Sequence, residues 1–161
     1  MIFLVGFMGS GKSTVAKELG KQLAMPVIEM DEAIEEEEGM TIKTLFEKFG
    51  ESYFREKETT FLKTIKADSV VSTGGGIVER EENEIPLSTG KVVYLQASWE
   101  TIVERLQQDT TRPLWNGDDE QKKKRFENRQ GKYERVADET VVVDGKDSDQ
   151  IVSEIIHRLK G

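Results

Sequence analysis

Gly6-Phe7-Met8-Gly9-Ser10-Gly11-Lys12-Ser13 spells G-x-x-x-x-G-K-[ST]. That spacing makes a loop whose backbone N–H groups turn inward around phosphate oxygens. Glycine is needed there because a Cβ would obstruct the approach. Lys12 then reaches the β- and γ-phosphates of a nucleotide, and the Ser13 hydroxyl ligates Mg²⁺. A second group is the acid pair Glu29 and Asp31 at the end of the apolar run Val27-Ile28. Strand alternation would put both on one side. Carboxylates there suit two tasks of phosphoryl transfer, orienting Mg²⁺ through its waters and accepting a hydroxyl proton. The plainer reading of Asp31 is a cap on the following helix. A third group is Ser72-Thr73-Gly74-Gly75-Gly76, where three glycines let a ligand or another backbone lie against the main chain, or simply make a flexible turn. Arg55, Arg112 and Arg129 supply forks that match carboxylate and phosphate, although any one alone is more often a surface residue and their meaning comes from their joint spacing.

These groups need a frame. Short runs rich in valine and isoleucine at 2–5, 27–30, 69–72, 91–95 and 140–144 alternate with helical patterns at 12–24, 31–38, 41–49, 52–65, 99–108, 120–135 and 149–160. That alternation predicts an α/β three-layer sandwich, a five-stranded parallel sheet with helices on both faces. Ligands in such sheets bind outside the carboxyl ends of the strands, where the glycine loop and the two acids fall. Ile151, Val152, Ile155, Ile156 and Leu159 share one face of the last helix, with Ser148 as its N-cap. The polar stretch 109–119, with Pro113 and Gly117, has the length of a functional loop such as a lid. The acidic run 35–38 reads as a solvated helix face, and His157 as a surface or cap-proximal residue.

At 161 residues the chain suits one domain with a real core. Charged residues make up 34% and hydrophobic ones 36%, and no apolar run nears the roughly 20 residues that span a membrane. The strand at the N-terminus leaves no room for a signal peptide, and cysteine is absent, which rules out disulfides and thiolate zinc sites. Together these favour the cytoplasm. The net charge of −8 argues against nucleic acid as a partner. It also requires that positive charge for ATP be concentrated locally.

The joint spacing of these pieces resembles shikimate kinase, of the small P-loop kinases, along essentially the whole chain. The matching residues are the loop 6–14; Glu29-Met30-Asp31 with Ile34-Glu35; Gly39-Met40-Thr41-Ile42; and Leu45-Phe46. They continue with Phe49-Gly50-Glu51-Ser52-Tyr53-Phe54-Arg55-Glu56-Lys57-Glu58; Ser72-Thr73-Gly74-Gly75-Gly76; Arg112-Pro113-Leu114; and Arg129, Tyr133 and Ala137 at intervals of four. The phosphate loop is generic, but the Phe-Arg-x-x-Glu, triple-glycine and Arg-Pro-Leu set together is specific.

The resemblance implies a single P-loop kinase domain over 1–161, with substrate-binding helices at about 31–60 and a mobile lid at about 109–121. It implies transfer of the ATP γ-phosphate to the 3-hydroxyl of shikimate, with Mg²⁺, by a monomer. Gly9, Ser10, Gly11, Lys12, Ser13 and Thr14 would bind ATP, with Arg105 against adenine, Arg112 closing on the phosphates, and Ser148 near the base. Asp31 would contact shikimate hydroxyls and act as the base, with Lys12 and Arg112 completing the catalytic set. Arg55 and Arg129 would hold the shikimate carboxylate, Gly75 and Gly76 would lie beside the substrate, and Phe46 and Phe54 would pack on its ring. Mg²⁺ would sit on Ser13, with Glu29 and Asp31 reached through water. The whole would be a positive pocket in an acidic body. Three features depart from the family's pattern. Glu29 stands where an aspartate is usual, the segment 144–149 lacks the usual proline, and the lid is acidic after Trp115. Two other readings stay open on the residues alone. One is a related small kinase acting on gluconate or a nucleotide, and the other is a non-catalytic ATP-binding module.

Overall fold

The computed structural model describes residues 1–107 and 119–160. Five strands make one sheet: β1 (Ile2–Val5), β2 (Val27–Glu29), β3 (Val70–Ser72), β4 (Lys91–Gln96) and β5 (Glu139–Val142). Their order is β2-β3-β1-β4-β5 and every pairing is parallel. The register sets Leu4 beside Ser72 and Val93, and Glu29 beside Ser72. The carboxyl ends of β1, β2 and β3 therefore open on one rim.

Parallel pairing requires helical crossovers and burial of both sheet faces. The helices are α1 (Lys12–Leu23), α2 (Met30–Glu38), α3 (Ile42–Phe49), α4 (Glu51–Thr64), α5 (Glu84–Leu87), α6 (Trp99–Leu106), α7 (Asp119–Val136) and α8 (Ser148–Lys160), and they cover the sheet on both sides. α1 packs with α8 and over β3, while α7 packs on β4. All four β1 residues are buried, as are Val15, Ala16 and Leu19 of α1 and Ile151, Val152 and Ile155 of α8. Apart from Ala16, each such side chain is worth about 1.5–3 kcal/mol when fully buried. A second, smaller core of Ile34, Leu45 and Phe54 holds α2, α3 and α4 together. Among the described residues no helix is long and apolar enough to cross a membrane.

The structure corrects several expectations. Asp31 is not on a strand: β2 stops at Glu29 and α2 begins at Met30, so Asp31 sits in a helical first turn. It is not the cap either, because Glu29 holds that position and no side chain caps the turn. Ser148 is the first residue of α8 rather than its cap. The cap is Asp147, whose Oδ1 accepts from Gln150 N at 2.8 Å while Gln150 Oε1 accepts from Asp147 N at 2.9 Å. That reciprocal pair is a capping box. The acidic run 35–38 is more than a solvated face. Glu35 Oε2 accepts from Ile42 N at 2.9 Å and Glu38 Oε1 from Tyr53 OH at 2.7 Å, tying α2 to α3 and α4. Residues 77–87 fold as short 3₁₀ turns (Ile77–Glu79 and Glu81–Asn83) and α5, which no periodicity announces. His157 is exposed, as expected. The first residues of α7 occupy the end of the expected lid; the rest of it, with Arg112 and Trp115, lies outside the described residues.

Candidate active site

Gly9 and Gly11 take φ of 85° and 95°, left-handed values that favour glycine. The backbone leaving β1 can thus fold over the start of α1. Gly11 is the α1 N-cap and provides no side-chain acceptor, so the first N–H groups of that helix face outward unclaimed by a cap. A helix start of this kind attracts phosphate. Lys12 Nζ lies over the loop, donating to Gly6 O at 2.6 Å and Phe7 O at 3.1 Å. Arg105, from α6, donates through Nη1 to Gly9 O at 3.1 Å, which puts its charge against the same loop.

A cavity of about 530 Å³ begins at this loop and runs across the rim. Gly9, Gly11, Lys12, Ser13, Thr14, Glu29, Asp31, Phe46, Phe54, Arg55, Gly75, Gly76 and Arg129 all line it. Ser10 is buried beneath the loop, and neither Arg105 nor Ser148 is part of the lining. The Phe46 and Phe54 rings meet at a tilt of 57° with centroids 5.3 Å apart, and Phe54 is anchored in the second core. Glu29 faces the cavity while its Oε2 stands 3.5 Å from Lys17 Nζ.

The triple glycine is a close approach. A Cβ on Gly74 would stand 2.6 Å from Glu58 Oε2 and 2.8 Å from Asp31 Oδ1, and one on Gly76 would overlap the Arg55 guanidinium. The segment is pinned at both ends. Thr73 donates through Oγ1 to Leu4 O at 2.8 Å, and Tyr133 of α7 donates through its hydroxyl to Gly75 O.

Arg55 is buried and doubly held. Nη1 donates to Glu58 Oε1 at 3.0 Å, and Nε donates to Glu51 Oε2 at 3.2 Å. Burial works against its charge, but Glu58 and Glu51 outweigh that and raise its pKa. Glu58 itself is fully buried, and its carboxyl is pushed up to about 7. Burial is the main cause; Arg55 opposes it and nearby Asp31 adds to it. Sequence reasoning placed Glu58 in the shared motif without a role. Its spacing of three from Arg55 on one helix was the available signal.

The lining is not simply positive. Lys12, Lys43, Arg55 and Arg129 meet Glu29, Asp31, Glu32, Glu35 and Glu58 on the same surface. Buried cations need such partners, so positive charge is concentrated at the guanidinium ends rather than spread through the pocket. Chemically, the site offers a phosphate cradle, a carboxylate within the same cavity, and two arginines beyond it.

The family model described as shikimate kinase matches residues 8–160. A shikimate kinase from Sulfurihydrogenibium sp. is 45% identical over 162 residues, 99% of this chain and 97% of that protein. One from Persephonella marina is 41% identical over 99% of this chain and 98% of its own length. Among solved structures, a shikimate kinase from Acinetobacter baumannii in complex with shikimate superposes with a TM-score of 0.92 at 33% identity, covering 99% of this chain and 92% of that one. A gluconokinase from Sinorhizobium meliloti reaches a TM-score of 0.62 at 18% identity and shares the fold alone.

Proposed function

The chain belongs to the shikimate kinase family, and from that premise we propose that its rim cavity passes the ATP γ-phosphate to the 3-hydroxyl of shikimate, giving shikimate 3-phosphate and ADP. The enzyme is an ATP-dependent kinase of the route to aromatic amino acids. One observation carries the residue assignments: the phosphate loop, Asp31, Arg55 and Arg129 all line a single cavity.

The loop N–H groups and Lys12 hold the transferring phosphates. Arg55 and Arg129 grip the shikimate carboxylate at the far end, which fixes the ring between Phe46, Phe54 and the Gly75–Gly76 backbone. Asp31 then accepts the hydroxyl proton as the oxygen attacks. Positioning and charge stabilisation supply most of the acceleration in phosphoryl transfer. Arg105 steadies the loop through the Gly9 carbonyl, and Arg112 would close over the phosphates and exclude water. Gly9, Ser10, Gly11, Ser13, Thr14 and Ser148 complete the proposed nucleotide contacts.

The donors also fit Mg²⁺. Ser13, Glu29 and Asp31 share the cavity, and among the described residues no cluster of three or more His, Cys, Asp or Glu could cage a metal alone. A hydroxyl and two carboxylates in an open arrangement suit a hard ion that keeps waters and takes phosphate oxygens as ligands. When bound, Mg²⁺ supplies neutralisation of the phosphate charge. The phosphate loop, Asp31, Arg55 and Arg129 line one cavity within a single chain, and the proposed acting unit is a monomer.

The test is a coupled ADP-release assay in Mg²⁺ with shikimate, gluconate and nucleoside monophosphates as acceptors. Shikimate should drive turnover well above the others. Equal or lower ADP release with shikimate overturns the proposal.

A further inference from the structure

Arg129 is buried to 1% exposure, yet it lines the cavity. Its guanidinium lies 5.8 Å from the centroid of the Phe7 ring. Its Nε donates to Glu79 Oε1 at 3.3 Å. Its Nη1 is buried beside Gly75 and has no hydrogen-bond partner among the described residues. An arginine is a rigid planar fork, so fixing the Nε edge fixes the direction of the remaining donors. We infer that Glu79 is a positioning residue, which holds Arg129 from behind so that its free edge meets the acidic group of the acceptor.

Several observations support this. Glu79 ends the 3₁₀ turn that follows the triple glycine, and its N–H donates to Gly76 O at 3.0 Å. The segment that offers backbone to the acceptor thus also sets the arginine. Lys132, one turn along α7 from Arg129, donates through Nζ to the same Glu79 oxygen at 3.3 Å. Arg129 and Lys132 together hold the Glu79 carboxyl below its ordinary pKa although burial opposes them. Glu79 therefore stays ionised at neutral pH. Arg55 is held in a matching way, through Nε to Glu51 at 3.2 Å. The two differ at the other edge, since Arg55 Nη1 is already engaged by Glu58. The orientation of Arg129 accordingly depends more on the carboxylate behind it.

This rests on the acceptor-site reading of Arg129 given above. The test compares wild type with Glu79→Gln, Glu79→Ala, Arg129→Ala and the double variant Glu79→Gln/Arg129→Ala in the coupled assay. Substrates are shikimate and its uncharged methyl ester. Glu79→Gln should raise the shikimate KM about tenfold, in keeping with one charge-assisted hydrogen bond, and Glu79→Ala should raise it further. The ATP KM and kcat should move less than about twofold, the ester should show little change, and Glu79→Gln should add nothing once Arg129 is gone. A shikimate KM unchanged in both Glu79 variants overturns the inference. So does a loss that persists in full without Arg129, or one shared equally by ATP, which would mark Glu79 as a fold support only. If Arg129→Ala loses shikimate while Glu79→Gln does not, this inference alone fails. If Arg129→Ala leaves the shikimate KM unchanged, the acceptor-site reading fails with it.

Discussion

Arg55→Ala separates binding from folding in a way the geometry makes quantitative. The Arg55 side chain is 7% exposed and holds two carboxylates, Glu58 Oε1 at 3.0 Å and Glu51 Oε2 at 3.2 Å. Removing a desolvated charged partner typically costs about 2–5 kcal/mol in affinity. Arg129 remains as a second grip, so about 3 kcal/mol is expected, roughly a hundredfold in the shikimate Kd. ATP binds at the phosphate loop and should lose less than about threefold.

The folding effect has a pH signature. Breaking a buried pair normally costs about 3–5 kcal/mol because a charge is stranded. Here the stranded group is Glu58, whose carboxyl already sits at about 7. At pH 6 Glu58 is mostly protonated in both proteins, so the loss should be only about 1–2 kcal/mol, one hydrogen bond and some packing. Without Arg55 the Glu58 pKa rises further. Above pH 7 the folded variant therefore keeps a proton that folded wild type releases, while the unfolded chains are alike. The stability gap should widen by up to about 1.4 kcal/mol per pH unit in that range. Calorimetric titration with shikimate and with ATP, and urea unfolding at pH 6 and pH 8, read the two effects separately. Equal losses of shikimate and ATP affinity would refute the binding assignment. A stability gap that is the same at both pH values would refute a near-neutral Glu58.

Asp31→Asn should cut kcat by roughly 10²–10⁴ with an unchanged circular dichroism spectrum and Tm, and near-normal turnover would remove Asp31 as the base. Gly76→Ala places a Cβ on the Arg55 guanidinium, so the shikimate KM should rise at least tenfold at a cost of about 1–3 kcal/mol in stability, with the ATP KM steady; unchanged shikimate kinetics would mean the guanidinium can retreat freely. Ala24 is the C-cap of α1 at φ 54° and ψ 44°, a left-handed conformation that costs a non-glycine residue about 1 kcal/mol, so Ala24→Gly should raise Tm by about 1–3 °C without touching kinetics.

What could be read from residues alone divides by distance along the chain. The phosphate loop was legible because its eight positions are contiguous and its glycines are demanded by local backbone geometry. The strands were legible because a buried parallel sheet leaves short valine-rich runs between turn signals. Asp31 does face the cavity, but strand alternation is not what aims it, since the chain turns helical at Met30. Glu58 was within reach of a helical-spacing argument. Glu79 was not: it is 50 residues from Arg129, and nothing distinguishes it locally among 31 acidic residues. What joins them is topology. Placing β3 directly beside β1 returns the segment after Ser72 to the phosphate loop, and α7, packed on β4 and on the turn Ile77–Glu79, brings Arg129, Lys132 and Tyr133 down onto that segment. The proposed acceptor half of the site is thus assembled from long-range pairings, each between ordinary residue types. Such a site has a local signature only where backbone geometry forces glycine, and the triple glycine was therefore its most legible part.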